Sequence, residues 1–271
     1  MKKVMKWTGI VLGGLIGLSL LAGVVLYPIG MKKLSGSYPD IEVETVSIPT
    51  DPDAVVHGRH ISIIWGCIKC HGEDLGGMLL ANDPFLGTIP APNLSSGSGG
   101  IGTAYTDTDW IRAIRHGVKP DGQGLVFMYN YSTLSDQDLG DLIVYLKQVQ
   151  PVDSDFPAMR IGPLDPMAYG AGVFALSAEV IAHDAPRPAD PAPGATIEYG
   201  RYLWAICREC HSSSLAGELD GWMLDNFARA VRTGLLPNGR HLPAAMSTKT
   251  FGELNDTELG ALWLYIMDAG R

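Results

Sequence analysis

Cys67-Ile68-Lys69-Cys70-His71 and Cys207-Arg208-Glu209-Cys210-His211 are two copies of one pattern, Cys-x-x-Cys-His. This is the attachment signature of c-type haem. The two thiols become thioethers to the haem vinyl groups, and the adjacent histidine becomes the proximal iron ligand. The spacing has a geometric reason: one helical turn puts both sulfurs on one edge of the porphyrin, and the imidazole can then swing beneath the iron. A zinc half-site or a thioredoxin-like pair is the bland alternative. The chain has only four cysteines, and the two motifs consume all of them. The arithmetic predicts two covalently bound haem c groups, held by Cys67 and Cys70 and by Cys207 and Cys210, with His71 and His211 as axial ligands.

Working outward, 271 residues suffice for about two domains. Covalent haem c is assembled outside the bacterial cytoplasm, so the motif-bearing part is expected there. The net charge of −9 hides an asymmetry. The first acidic residue is Asp40, and five lysines precede it, Lys2, Lys3, Lys6, Lys32 and Lys33. From Asp40 onward, 15 basic residues face 29 acidic ones, which argues against nucleic acid as a partner.

Trp7 to Ile29 is a stretch of 23 uncharged residues with lysines on both sides. That length spans a bilayer and exceeds the apolar region of a cleaved signal peptide. It reads as a single retained transmembrane anchor in a bacterial cytoplasmic (inner) membrane, with residues 1–30 comprising the cytoplasmic stub and the span. The haem motifs fix the orientation, with the bulk on the periplasmic side. Gly9, Gly13 and Gly17 recur at four-residue spacing, a small-residue face that suits a partner transmembrane helix.

Residues 31–52 read as an extended leader, and 153–195 as a Pro-rich interdomain linker. Within the latter, the apolar stretch Met167 to Ile181 has no evident role. The two flanking segments, 53–152 and 196–271, repeat each other. Gly58-Arg59 precedes the first motif, and Gly200-Arg201 the second. Trp110-Ile-Arg-Ala-Ile-Arg115-His-Gly117-Val-Lys-Pro120-Asp-Gly122 matches Phe227-Ala-Arg-Ala-Val-Arg232-Thr-Gly234-Leu-Leu-Pro237-Asn-Gly239. Each is a helix ended by Gly and a Pro-x-Gly turn. Closing helices begin after Leu134-Ser-Asp and Leu254-Asn-Asp, where Ser135 or Asn255 can cap and Asp138 or Glu258 can reciprocate. The expected fold is all-α, a duplicated helical unit with one haem per copy.

An iron that only passes electrons is usually six-coordinate, and Met/His ligation raises its potential. The second ligand should lie past the Pro-x-Gly turn and before the last helix. Met128 stands six residues after Gly122, and Met246 seven after Gly239. Matching positions in the two repeats single them out over Met78, Met159, Met167 and Met223. His116 and His241 lie nearby and leave bis-histidine ligation open.

With these motifs in hand, the chain resembles the membrane-anchored di-haem cytochromes c of bacteria, which carry two class I cytochrome c domains in tandem. The resemblance covers nearly everything from about Asp53 onward. It rests on the two Cys-x-x-Cys-His sites, the Arg-x-Gly-x-x-Pro-x-Gly segments and the Leu-Ser/Asn-Asp-x-x-Leu closing helices. It implies Met128 and Met246 as axial ligands and Ala91-Pro92-Asn93-Leu94 as a loop at the first haem edge. It departs from the family where Tyr129 and Ser247, rather than proline, follow the two methionines. Moreover, 39 positions separate His71 from Trp110 but only 16 separate His211 from Phe227, so the second haem edge is expected to be the more exposed.

The function implied is relay of single electrons between redox protein partners at the outer face of the membrane. Those partners would be a respiratory or photosynthetic complex or a dehydrogenase, with this chain as a subunit. No side chain is expected to be catalytic. The rival is a di-haem, peroxidase-like enzyme with one open iron, for which His116 and His241 are the loose acid–base candidates.

Overall fold

The computed structural model describes residues 2–208, 210–211 and 215–269. The first helix, α1 (Lys2–Leu34), is long and apolar enough to cross a membrane. It continues four residues beyond the span-and-stub boundary read from sequence, so the extended leader starts after Leu34.

The first haem motif is framed by α2 (Pro52–Ile64), α3 (Cys67–His71), α4 (Asp107–His116) and α5 (Asp136–Gln148). Local chemistry sets their ends. Asp51 accepts from Ala54 N at 2.9 Å, with Pro52 opening α2. Thr106 and Asp109 form a complete capping box on α4. Between α3 and α4 lies a hairpin, β1 (Met78–Asp83) with β2 (Gly87–Ala91), joined at its β2 edge by β3 (Arg160–Ile161). The purely helical expectation is corrected here: the fold is mostly helical with a small antiparallel sheet. The sheet occupies the extra chain between His71 and Trp110, where Pro84, Gly87, Pro90 and Pro92 disfavour a helix.

The segment read as a linker is folded. After β3 come α6 (Asp165–Gly170) and α7 (Ser177–Val180), and both lean on the first half of the chain. Asn93 Nδ2 donates to Val152 O at 2.6 Å, and Ser98 N to Asp153 Oδ1 at 2.8 Å. Ser177 Oγ donates to Met128 O, and Arg187 reaches Asp136 and Thr45 O. The segment is a strap, and its exposed, Pro/Ala-rich stretch is confined to its end.

The second motif is framed by α8 (Ile197–Cys207), α9 (Leu224–Thr233), α10 (Thr248–Phe251) and α11 (Asp256–Ala269). Its contacts copy those of the first. A Cβ on Gly58 would lie 1.8 Å from Asp141 O, and one on Gly200 would lie 2.0 Å from Ala261 O. Helix α2 therefore crosses α5, and α8 crosses α11, backbone against backbone. Arg115 binds Leu134 O at 3.0 Å and Asp136 at 2.7 Å; Arg232 binds Leu254 O at 3.1 Å and Asp256 at 2.7 Å.

The two halves also meet reciprocally. His60, two residues after Gly58, pairs with Glu258 at 2.7 Å, and Tyr202, two after Gly200, donates to Asp138. Trp65 and Tyr202 stack at an angle with centroids 5.7 Å apart. One continuous hydrophobic core runs through both halves, from Trp110 and Leu142 to Leu203 and Leu262. The α11 cap is the expected reciprocal box, Asn255 with Glu258. The α5 cap is only half of one: Ser135 Oγ accepts from Asp138 N, while the Tyr202 hydroxyl takes the place of Asp138 at Ser135 N.

Candidate functional site

Helix α3 is a single turn entered through Gly66, whose φ of 79° is a left-handed conformation that suits glycine. That turn places Cys67, Cys70 and His71 on the wall of a cavity of about 540 Å³. Met128, from the loop before α5, lines the same cavity, so the four first-site residues predicted from sequence are brought together. The remaining wall is mostly apolar, with Leu94, Trp110, Ile114 and Leu142.

His71 Nδ1 hydrogen-bonds Pro92 O at 2.8 Å. The carbonyl only accepts, so Nδ1 carries the proton and Nε2 keeps its lone pair for a metal. Desolvation holds the imidazole below its usual range, favouring that neutral form. Desolvation also pushes the Cys67 thiol up to about 12 and raises that of Cys70. Such a pocket disfavours the thiolate that a thioredoxin-like pair needs and suits a neutral thioether. Trp110 lines the cavity, while its Nε1 is buried with no hydrogen-bond partner among the described residues. The residues present therefore fit a haem.

The Ala91–Leu94 segment borders the cavity. Ala91, Pro92 and Leu94 line the cavity, and Pro92 orients the histidine. His116 does not line it. That side chain is buried against His183 at 3.0 Å and Glu44 at 3.4 Å, which removes it as a sixth ligand of the first site.

At the second site, Cys207 ends α8, and desolvation pushes its thiol up to about 12. His211 N bonds Cys207 O at 2.8 Å, and its ring lies 6.2 Å from Trp204. Cys210 is exposed, whereas Cys70 is half-buried. Glu209 and residues 212–214 lie outside the described residues. Met246 is half-buried in a turn, its N–H bonded to Pro243 O at 2.9 Å. The neighbouring Ala245 O accepts from Lys69 Nζ at 3.1 Å, so the Met246 loop also borders the first motif. His241 is exposed in the strand-like bridge with Leu235.

Sequence reasoning missed the buried Trp110 donor and the reciprocal His60 and Tyr202 contacts. The latter left a signal, since both residues stand two positions after the repeat glycine. The strap over Met128 left none beyond an apolar stretch.

Comparisons with known proteins bear on this geometry. Residues 57–150 match the family described as Cytochrome c. The chain is 28% identical over 219 residues to the fructose dehydrogenase cytochrome subunit of Gluconobacter japonicus, covering 69% of this chain and 44% of that protein. It is 30% identical over 224 residues to the gluconate 2-dehydrogenase cytochrome c subunit of Pantoea cypripedii, covering 68% and 48%. It is 28% identical over 180 residues to the alcohol dehydrogenase (quinone) cytochrome c subunit of Gluconacetobacter polyoxogenes, covering 59% and 37%. The chain thus spans less than half the length of each of these relatives. All three are named as cytochrome subunits of dehydrogenases. Residues 57–150 are a cytochrome c domain, and that family implies covalently bound haem c.

Proposed function

We propose that this chain is a membrane-tethered di-haem electron relay and an electron-transfer subunit of a dehydrogenase complex, rather than its catalytic subunit. The observation that carries the reading is the cavity shared by Cys67, Cys70, His71 and Met128, with Pro92 fixing the histidine tautomer. When bound, haem c supplies a one-electron iron couple.

The side chains hold and tune rather than react. Cys67 and Cys70 would anchor the ring edge, and His71 would offer Nε2 from one side. Met128 would close the other, its loop steadied by the Ser177 hydrogen bond. The apolar wall excludes water. The repeated crossings at Gly58 and Gly200, and the repeated arginine clamps, support a second, equivalent unit. There Cys207 and Cys210 would hold the haem, and His211 and Met246 would serve as its iron ligands.

The units run over 53–152 and 196–271, with the first carrying the strap. Exposure of Cys210 favours the second haem edge as the docking point for a redox partner. Helix α1 crosses the inner membrane once, with both haems on the periplasmic side. Among the described residues, nothing beyond the helix's own nearby backbone lies within 4 Å of where a Cβ on Gly9, Gly13 or Gly17 would stand, leaving that face to a helix of another subunit.

The test is haem stoichiometry and a reduced optical spectrum before and after carbon monoxide. Two haems per chain, both indifferent to the gas, is the expected result. One haem per chain overturns the di-haem assignment. A haem that binds the gas readily overturns the closed sixth position there and restores the peroxidase-like rival.

A further inference from the structure

The strap does more than cover the Met128 loop: its helix α6 packs against the membrane-spanning helix itself. A Cβ on Gly30 would lie 1.7 Å from Pro166 O, and one on Gly170 would lie 2.1 Å from Leu26 O, so the two backbones touch. Deeper along α1, a Cβ on Gly23 would stand 3.6 Å from Met167 Cε. Gly23 is six residues inside Ile29, the last residue of the uncharged stretch, which is about 9 Å along a helix axis. That is the depth at which monotopic helices bury their apolar face.

The rest of this region is built for the same environment. From Gly162 to Ala178 the only charged residue is Asp165. Its side chain is turned inward, 3% of the residue being exposed, and accepts from Gly162 N at 3.1 Å. Backbone donors around α6 are satisfied within the segment: Ala168 N bonds Leu164 O, Ala171 N bonds Met167 O, and Val173 N bonds Ala168 O. Apolar surroundings demand that. Leu164, Val173 and Phe174 are exposed. So are Phe85 and Leu86 at the hairpin tip, which Leu164 N ties to α6 through Phe85 O at 3.2 Å. At the level of the lysines, Lys33 pairs with Glu179 at 2.8 Å, closing the strap's far end at the headgroup plane.

We propose that α6, the Val173–Phe174 loop and the Phe85–Leu86 hairpin tip form a second membrane contact, inserted among the phospholipid acyl chains of the leaflet beside α1. The contact rests on the reading of α1 as a membrane span. It gives the first cytochrome unit a fixed tilt on the bilayer, because α6 is locked both to the span and, through β3 and α7, to the haem cavity.

The test uses the full haem-loaded chain in phosphatidylcholine/phosphatidylglycerol vesicles carrying a phospholipid with an acyl-chain diazirine. Illumination followed by peptide mass spectrometry maps the lipid adducts. Adducts on α1, on 163–174 and on 85–86, with none on the 234–247 loop, are expected. Adducts on α1 alone overturn the inference while leaving the span intact; adducts on neither overturn both. The double variant Phe85→Asp, Val173→Asp, at the two most exposed of these positions, should keep the haem spectrum and the α1 adducts and lose the others. In membranes of the producing cells, crosslinks from this patch to polypeptide instead of lipid also overturn it.

Discussion

Met128 and Gly58 show what single residues decide. Met128 lies on the cavity wall with His71, and its loop carbonyl is held by Ser177. Met128→Ala should leave both haems attached, open one iron to carbon monoxide in the reduced spectrum, and lower that haem's potential in a redox titration, since methionine ligation raises it. Gly58 has no room for any side chain against Asp141 O. Gly58→Ala should destabilise the fold by about 1–3 kcal/mol or more, read as a lowered denaturant midpoint. That Cys67, Cys70 and His71 share one wall was legible because the motif sets them within a single helical turn. Trp110 was legible only as a repeat position. Its burial depends on packing among segments far apart in the chain.

Among elements, helices were the legible part. Caps at Ser135 and Asn255 are short-range signals and start α5 and α11 where sequence put them; the Thr106 cap of α4 is equally local but was not read. Strands were not. β3 is two residues long and exists only because β2 lies beside it, a pairing between segments some 70 positions apart. The contact between α2 and α11 is equally non-local and has a pH consequence. The hydrogen bond to Glu258, with the nearby charges of Glu258, Glu253 and Asp138, raises the His60 pKa against the opposing effect of burial. Stabilisation from a raised histidine is complete below the ordinary value of about 6.5 and is lost as pH climbs through the raised one. Burial holds the Asp138 carboxyl above its usual range, so its contribution also falls as pH rises. The melting temperature should therefore fall from pH 6 to pH 8 in the native chain. In His60→Gln that slope should flatten, and an unchanged slope would assign it elsewhere.

For the whole molecule, the division at the linker was read from composition, but composition does not report what a segment packs against. Apolar residues in 153–181 found partners on α1 and around Met128, leaving only the exposed stretch near 189–193 as a connector. With the core continuous across both halves, chain connectivity there should matter little. A protease site inserted between Asp190 and Ala192, once cut, should give two haem-bearing fragments that co-elute in gel filtration. Separate elution would mean the halves are held together only by the chain.

The exchange of His60 with Glu258 for Tyr202 with Asp138 places matching positions of the two repeats on opposite sides of one contact. A contact of this kind closes on itself: each repeat offers the other the same patch and consumes it. A row of such units stops at two. Any additional unit, whether in a longer chain or in another subunit, must attach to a different face, and cannot continue a filament by the same handshake.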